Sequence, residues 1–212
     1  MNFNYILLIV VLVLFNQSCQ PKAEEIKENT VILNENFDSN KIGWVEEFTE
    51  AHDIEIKQGF LYINSHDTSA AQSSNGPLER SFLLNFPSGY EITSSISLLK
   101  HRRDAHFGII LVSGSLEYKF SVSDSGTAAV DEWDGNRRTE IRLFTNTLSS
   151  LDTSMKRLVF SIDVHFRNFE FYINEKLMGE GILKTKGWRD IRLFTTTKSS
   201  VAIDYLRIKK VE

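Results

Sequence analysis

Cysteine occurs once in the 212 residues, at Cys19, proline only three times, and the longest apolar run, Ile6 to Phe15, is ten residues. A lone thiol excludes an internal disulfide. Ten apolar residues are too few to cross a bilayer as a helix. No segment carries a long apolar stripe of helical period. No Gly-rich phosphate loop and no Gly-x-Ser-x-Gly elbow is present. The histidines His52, His66, His101, His106 and His165 are scattered, without the spacing of a zinc site. The net charge of −4, with no long basic run, argues against nucleic acid as a partner. What remains, 42% hydrophobic and 25% charged residues, is the composition of an ordinary globular domain.

The apolar run at Ile6–Phe15 has the length of a signal-peptide core. Cys19 follows it directly, preceded by the small Ser18. This pattern resembles the lipobox of bacterial lipoproteins, notably the loose boxes of bacteroidete lipoproteins. The resemblance implies cleavage before Cys19, lipidation of its thiol, export, and attachment to the membrane of the bacterial cell envelope, periplasmic or cell-surface. The alternative is a plain secretory signal with an incidental cysteine. Residues 1–18 are then the signal peptide. Residues 19–30, polar and charged after Cys19 ("QPKAEEIKENT"), form a flexible tether, and residues 31–212 form one domain.

From Val31 onward the hydrophobic period is two. "DIEIK" (Asp53–Lys57), "FLYINS" (Phe60–Ser65), "YEITSSISLL" (Tyr90–Leu99), "LVFSIDVHF" (Leu158–Phe166) and "FEFYIN" (Phe169–Asn174) each alternate, as half-buried strands do. Turn-like separators intervene: "SDSG" (Ser123–Gly126), "WDGN" (Trp133–Asn136), Asn174-Glu175 and Lys186-Gly187. About a dozen short strands in some 180 residues predict an all-β, antiparallel two-sheet jelly-roll sandwich, with six or seven strands per sheet. The stretch Asn64–Arg80 reads as a long polar loop, and Trp44 as a core residue.

Three segments carry a family resemblance. "LNENFDSNKIGWVEE" with its Gly43-Trp44, "IEIKQGFLYI", and the hairpin "NFEFYINEKLMGEG" are similar to strands of concanavalin A-like, laminin-G-like jelly rolls of bacterial surface proteins. In the hairpin Glu175 stands where glycine is usual. The ending "VAIDYLRIKK" resembles the last strand of the same superfamily. The resemblance spans roughly residues 31–210 and implies the fold but not the activity, since lectins, hydrolases, lyases and non-catalytic modules share it. It also implies a possible structural calcium at Asp204, with backbone carbonyls and Asn36 or Asp38. The alternative for Asp204 is a hydrogen bond to backbone N–H groups or an ion pair with an arginine. No other cofactor is required.

Two enzymatic patterns bear on the sequence. The Glu-x-Asp-x-x-Glu strand of laminarinase-like hydrolases is absent: "EWD" (Glu132–Asp134) begins it, but Arg137 stands where the third carboxylate belongs. "RTEIR" (Arg138–Arg142) resembles the R-x-E-x-R signature of an alginate-lyase family. Alternation places Arg138, Glu140 and Arg142 on one strand face, where two guanidinium groups could neutralise a uronate carboxylate. The His and late Tyr strands that such lyases need are missing.

The same stretch has a near-copy. Ile141–Ser150 and Ile191–Ser200 agree at eight of ten positions. Alternation puts Ile141, Leu143 and Thr145, and likewise Ile191, Leu193 and Thr195, on the core side. Arg142 with Phe144, and Arg192 with Phe194, then point the other way, beside Glu140 and Asp190. Cross-strand ion pairs are expected between the two copies. The ligand-binding candidates are Trp133, Arg138, Glu140, Arg142, Phe144, Trp188, Arg192 and Phe194, as a strip of arginine forks and aromatic rings for a glycan. Burial under a loop is the competing role for the two phenylalanines. The residues favour an exported, lipid-anchored, non-catalytic glycan-binding or surface-interaction module. A polysaccharide-active enzyme with a divergent site and a structural protein-binding lipoprotein are the alternatives.

Overall fold

The computed structural model describes residues 31–40, 43–66, 72–75, 89–100, 105–144, 157–185, 187–196 and 198–211. The expected signal peptide, Cys19 and the tether lie outside these. The strands are β1 (Val31–Glu35), β2 (Glu47–Phe48), β3 (His52–Lys57), β4 (Phe60–Ser65), β5 (Gln72–Asn75), β6 (Tyr90–Lys100), β7 (His106–Ser113) and β8 (Leu116–Ser123). They continue as β9 (Ala128–Asp134), β10 (Arg137–Phe144), β11 (Arg157–His165), β12 (Asn168–Ile173), β13 (Lys176–Ile182), β14 (Asp190–Thr195) and β15 (Ser200–Lys210).

All pairings are antiparallel. One sheet has nine strands, in the order β13-β12-β11-β6-β15-β4-β3-β2, with β1 also pairing β15. The other has six, in the order β10-β9-β8-β7-β14-β5. The chain is therefore a two-sheet jelly-roll sandwich, as the alternation predicts. The division into nine and six differs from the expected near-equal sheets, because β1, β2 and β3 all join one side. The polar stretch after Asn64 is also not wholly loop: Gln72–Asn75 pairs with β14 as an edge strand. Its residues lack the apolar alternation by which strands are recognised.

The core forms where the inner faces meet. Phe160, Ile162 and Val164 of β11 alternate with half-exposed Ser161 and Asp163, as a one-sided strand must. Phe120 of β8 sits edge-on to Phe169 and Phe171 of β12, with ring centroids 5.2 and 5.5 Å apart. Trp44 is buried against Phe37, as expected. Each fully buried ring of this kind contributes about 1.5–3 kcal/mol through burial alone.

Glu175 in place of glycine leaves the β12–β13 hairpin intact. Asn174 (φ 49°) and Glu175 (φ 66°) both take left-handed conformations, the two-residue turn whose twist matches paired strands. The Asn174 side chain accepts a hydrogen bond from the Val159 N–H at 2.8 Å, which ties the turn to β11.

Candidate functional site

The alternation of β8 divides its side chains between the core and the outer face, where Ser121 and Ser123 are themselves buried. Tyr118, Phe120 and Val122 are buried between the sheets, so Glu117 and Lys119 point to the outer face of the six-stranded sheet. Register then decides their neighbours. Lys119 lies opposite Asp131 of β9 and Ile110 of β7, and Glu117 opposite Trp133 and Val112. On β14, Arg192 is opposite Ile110 and Asp190 opposite Val112.

These residues form one connected surface. The Lys119 ammonium lies 4.4 Å from the centroid of the Trp133 ring, and the Arg138 guanidinium 5.9 Å from it. Glu117 takes an ion pair from Arg192 at 3.1 Å and lies 3.7 Å from Lys119. Arg192 also donates to Asp190 at 2.7 Å. Burial pushes the Asp131 carboxyl above the ordinary carboxylate range, against the pull of Arg138, His106 and Lys119. The Trp133 indole N–H and one Asp190 carboxylate oxygen are buried and have no hydrogen-bond partner among the described residues. A buried indole N–H ordinarily finds an acceptor.

Of the expected strip, Trp133, Arg138 and Arg192 share this outer face. Phe194 is on it too, but only 3% exposed, packed in a small apolar cluster with Ile110 and Val112. The other four are elsewhere. Trp188 is 1% exposed, edge-on to Tyr118 at 5.6 Å and donating its indole N–H to the Tyr90 hydroxyl, so it is a core residue. Glu140, Arg142 and Phe144 face the other way from Arg138.

The reason is a bulge. Arg138 is opposite Trp133, whereas Glu140 is opposite Glu132, with a register shift between them. One extra residue on a bulged strand reverses the facing of everything beyond it. Arg138, Glu140 and Arg142 therefore do not share a face, and the carboxylate clamp is not formed. Arg142 lies opposite Val130 and Phe144 opposite Ala128, both core residues. Phe144 packs onto the core and Arg142 sits 5.9 Å from the Phe169 ring. In β14 the copy keeps the expected orientation, with Ile191, Leu193 and Thr195 fully buried. The two near-identical stretches thus present opposite faces. They are also separated by three strands, so the ion pairs run within each copy, Glu140–Arg142 and Asp190–Arg192, each at 2.7 Å.

The acid of "EWD" also turns inward. Glu132 is 3% exposed and accepts hydrogen bonds from the Tyr118 hydroxyl at 2.6 Å, from Thr139 and from the Lys184 ammonium. Burial raises its carboxyl, but the hydrogen bonds from Lys184, Thr139 and Tyr118 outweigh that and hold it below the usual range. Burial, aided by Glu132, pushes the Tyr118 hydroxyl well above an ordinary phenol. This cluster ties β8, β9 and β10 to the segment after β13.

Asp204 pairs with Arg157, and Asn36 donates to Asp38. Among the described residues no group of three or more His, Cys, Asp or Glu side chains could hold a metal ion. A guanidinium against the Asp204 carboxylate does not fit a calcium site at that residue.

No family model matches this chain, and no curated protein does. Solved structures do. A Bacillus subtilis protein of unknown function with a galectin-like fold aligns with TM-score 0.64 and 12% identity, over 87% of this chain and 97% of that one. The β-glucanase of Bacillus licheniformis aligns with TM-score 0.60 and 7% identity, over 88% and 100%. A structure described with endo-acting O-glycanases of the human gut microbiota that initiate mucin breakdown aligns with TM-score 0.61 and 10% identity, over 86% and 100%. At such identities the likeness is one of fold, and that fold is the concanavalin A-like jelly roll.

Proposed function

We propose that the chain is an exported, lipid-anchored module of the bacterial cell envelope that binds a glycan without transforming it. The ligand face is the outer surface of the six-stranded sheet. The observation that carries this reading is Trp133: a half-buried indole between Lys119 and Arg138, its N–H without a partner among the described residues, beside the Glu117–Arg192–Asp190 network. An aromatic platform stacks on the apolar face of a sugar ring, an indole N–H donates to sugar hydroxyls, and a carboxylate oxygen accepts from them. Flanking cations suit a sugar bearing a carboxylate or sulfate.

The reading is non-catalytic because Glu132 and Tyr118, the groups suited to acid–base chemistry, are committed to each other inside the sandwich. Structures of the same fold include a β-glucanase and one described with O-glycanases that initiate mucin breakdown, in keeping with a carbohydrate ligand.

Screening the purified protein on an array of neutral, uronate-bearing and sulfated glycans tests the proposal. Binding concentrated in the acidic sugars is expected, and an array without any bound glycan would refute it. Anchoring is tested separately by labelling cells with radioactive palmitate. Label should disappear in Cys19→Ala, and labelling that persists there refutes acylation at Cys19.

A further inference from the structure

Strand register divides the turns of the sandwich between two ends. Val31 is opposite Lys209, Lys209 opposite Glu91, Glu91 opposite Asp163, and Asp163 opposite Glu170. The start of β1 and the end of β15 therefore lie at the end where the β11–β12 turn, Phe166-Arg167, connects its strands. The Leu183 N–H bonds to the Arg167 carbonyl at 2.7 Å, and the Lys184 N–H to the Tyr118 hydroxyl at 2.9 Å, which brings the segment after β13 to the same end. The β7–β8 and β9–β10 turns join it, tied together by the Gly135 N–H and the Ser115 carbonyl at 2.7 Å. The Arg189 N–H bonds to the Val112 carbonyl beside the β7–β8 turn. The β12–β13 turn, with Glu175, is at the opposite end.

This tether-side end has an unusual surface for a protein of net charge −4. Phe166 is 60% exposed, Ile182 57% and Val31 50%. Phe166 also holds φ at 59°, a conformation that a bulky side chain adopts only under constraint and that a two-residue turn normally gives to glycine. The ring is thus kept in solvent at a backbone cost. Around it Arg137, Arg167 and Arg189 are exposed, with no ion-pair partner among the described residues. Arg138 and Lys184 are exposed on the same turns, engaged with Trp133 and Glu132. Asp134 stands opposite Arg137 on its turn.

We infer that this end of the sandwich rests on an anionic phospholipid surface, with Phe166 and Ile182 entering the headgroup layer and Arg137, Arg167 and Arg189 on the phosphates. The inference rests on the reading that the segment ahead of Val31 is held in the membrane. From Cys19 only the eleven residues 20–30 intervene, which reach at most roughly 40 Å. Exposed aromatic and aliphatic side chains with nearby arginines are the chemistry that a headgroup layer takes up. In this pose the long axis of the sheets stands off the bilayer.

The test uses the full chain carrying Cys19→Ser, so that one introduced cysteine takes an environment-sensitive dye. Asn168→Cys puts the dye at the tether-side end of β12, and Glu175→Cys puts it beyond the other end, roughly 20 Å away. With vesicles of phosphatidylglycerol and phosphatidylcholine, doxyl-labelled lipid is expected to quench the dye at residue 168 several-fold more than the dye at residue 175. Arg137→Gln, Arg167→Gln and Arg189→Gln should each weaken this contrast, by about fivefold in partitioning per cation, as should raised salt. Phe166→Ser should weaken it at any salt. Equal quenching at both positions in a chain that binds vesicles overturns the inference while leaving the tether standing. A chain that does not bind the vesicles overturns the inference as well, and leaves the tether untouched because this variant carries no lipid. Acylation at Cys19 is read by the palmitate experiment and does not enter this one.

Discussion

Two glycines on an edge strand are required by the reversed facing of β10. A Cβ built on Gly179 of β13 would meet the Phe144 ring at 2.0, 2.1 and 2.5 Å, and one on Gly181 would meet the Arg142 guanidinium at 1.9 Å and the Phe169 ring at 2.6 Å. Carbon atoms in contact sit at about 3.5–4.0 Å, so Gly179→Ala displaces the Phe144 ring by more than an ångström from its place on the core. Overpacking of this kind costs about 1–3 kcal/mol. Phe144→Ala on its own loses part of a half-buried ring, about 2–3 kcal/mol against the 3–5 typical of a fully buried one. In the double variant the methyl occupies space that the ring has left. The cost of Gly179→Ala should then fall to near zero, giving a coupling energy of about 1–3 kcal/mol. Urea unfolding of the four proteins measures this through the shift in midpoint at constant m. Additive effects, or a neutral Gly179→Ala in the parent chain, would refute the packing of β10 against β13 and with it the inward facing of Phe144.

Two carboxylates should respond to pH in opposite directions. Glu180, Glu170, Asp163 and Glu91 lie directly opposite one another across four adjacent strands, ending at Lys209. Burial, then Glu91 and Glu170, raise the Asp163 carboxyl, while Ser161 donates to it at 3.1 Å. Like charges facing across strands cost about 0.2–1 kcal/mol per pair, so Asp163→Asn should stabilise by about 0.5–1 kcal/mol, or a few degrees in Tm. Because its folded pKa is raised, the parent protein gains stability from this group as pH falls through that value, with the gain complete below the unfolded value near 4. The variant should lack this gain, and a destabilised variant at pH 7 would count against the repulsive row. Glu132 is the reverse case: its folded pKa is lowered, so its stabilisation is present above the unfolded value of about 4.3 and is lost as pH falls through the folded one. Glu132→Gln should cost about 1–3 kcal/mol at pH 7, with the deficit shrinking toward pH 3 in thermal melts; a deficit that is constant with pH would contradict the charge-assisted bonds.

Strands β3, β4, β6, β11 and β12 of the nine-stranded sheet are legible because each buries one face, which is what period-two alternation records. Gln72–Asn75 is not, since an edge strand of polar residues has no apolar face to show. The facing of Arg142 and Phe144 is hidden in the sequence for a different reason. Alternation counts residues, and a single bulge between Arg138 and Glu140 changes the parity of all that follows without any mark in the local composition. Trp188 matched Arg138 by position in the repeat, yet packing against Tyr90 and Tyr118 decided its place. For Glu117 and Lys119 a signal is present in the sequence: in "LEYKFSVS" the apolar alternation of Tyr118, Phe120 and Val122 leaves Glu117 and Lys119 pointing outward, beside Asp131. Their meeting with Trp133 depends on register across β8 and β9, which no single strand reveals.

Recognition of a glycan through the outer face of the six-stranded sheet is tested most directly by calorimetric titration of the protein and of Trp133→Ala with a glycan bound on the array. Trp44 and Trp188 are buried, which leaves Trp133 to stack on a sugar ring. Removing it should weaken binding by at least tenfold, about 1.4 kcal/mol or more, in a variant whose unfolding midpoint shows that it remains folded. Affinity within twofold of the parent protein would place the ligand elsewhere and contradict the proposed site.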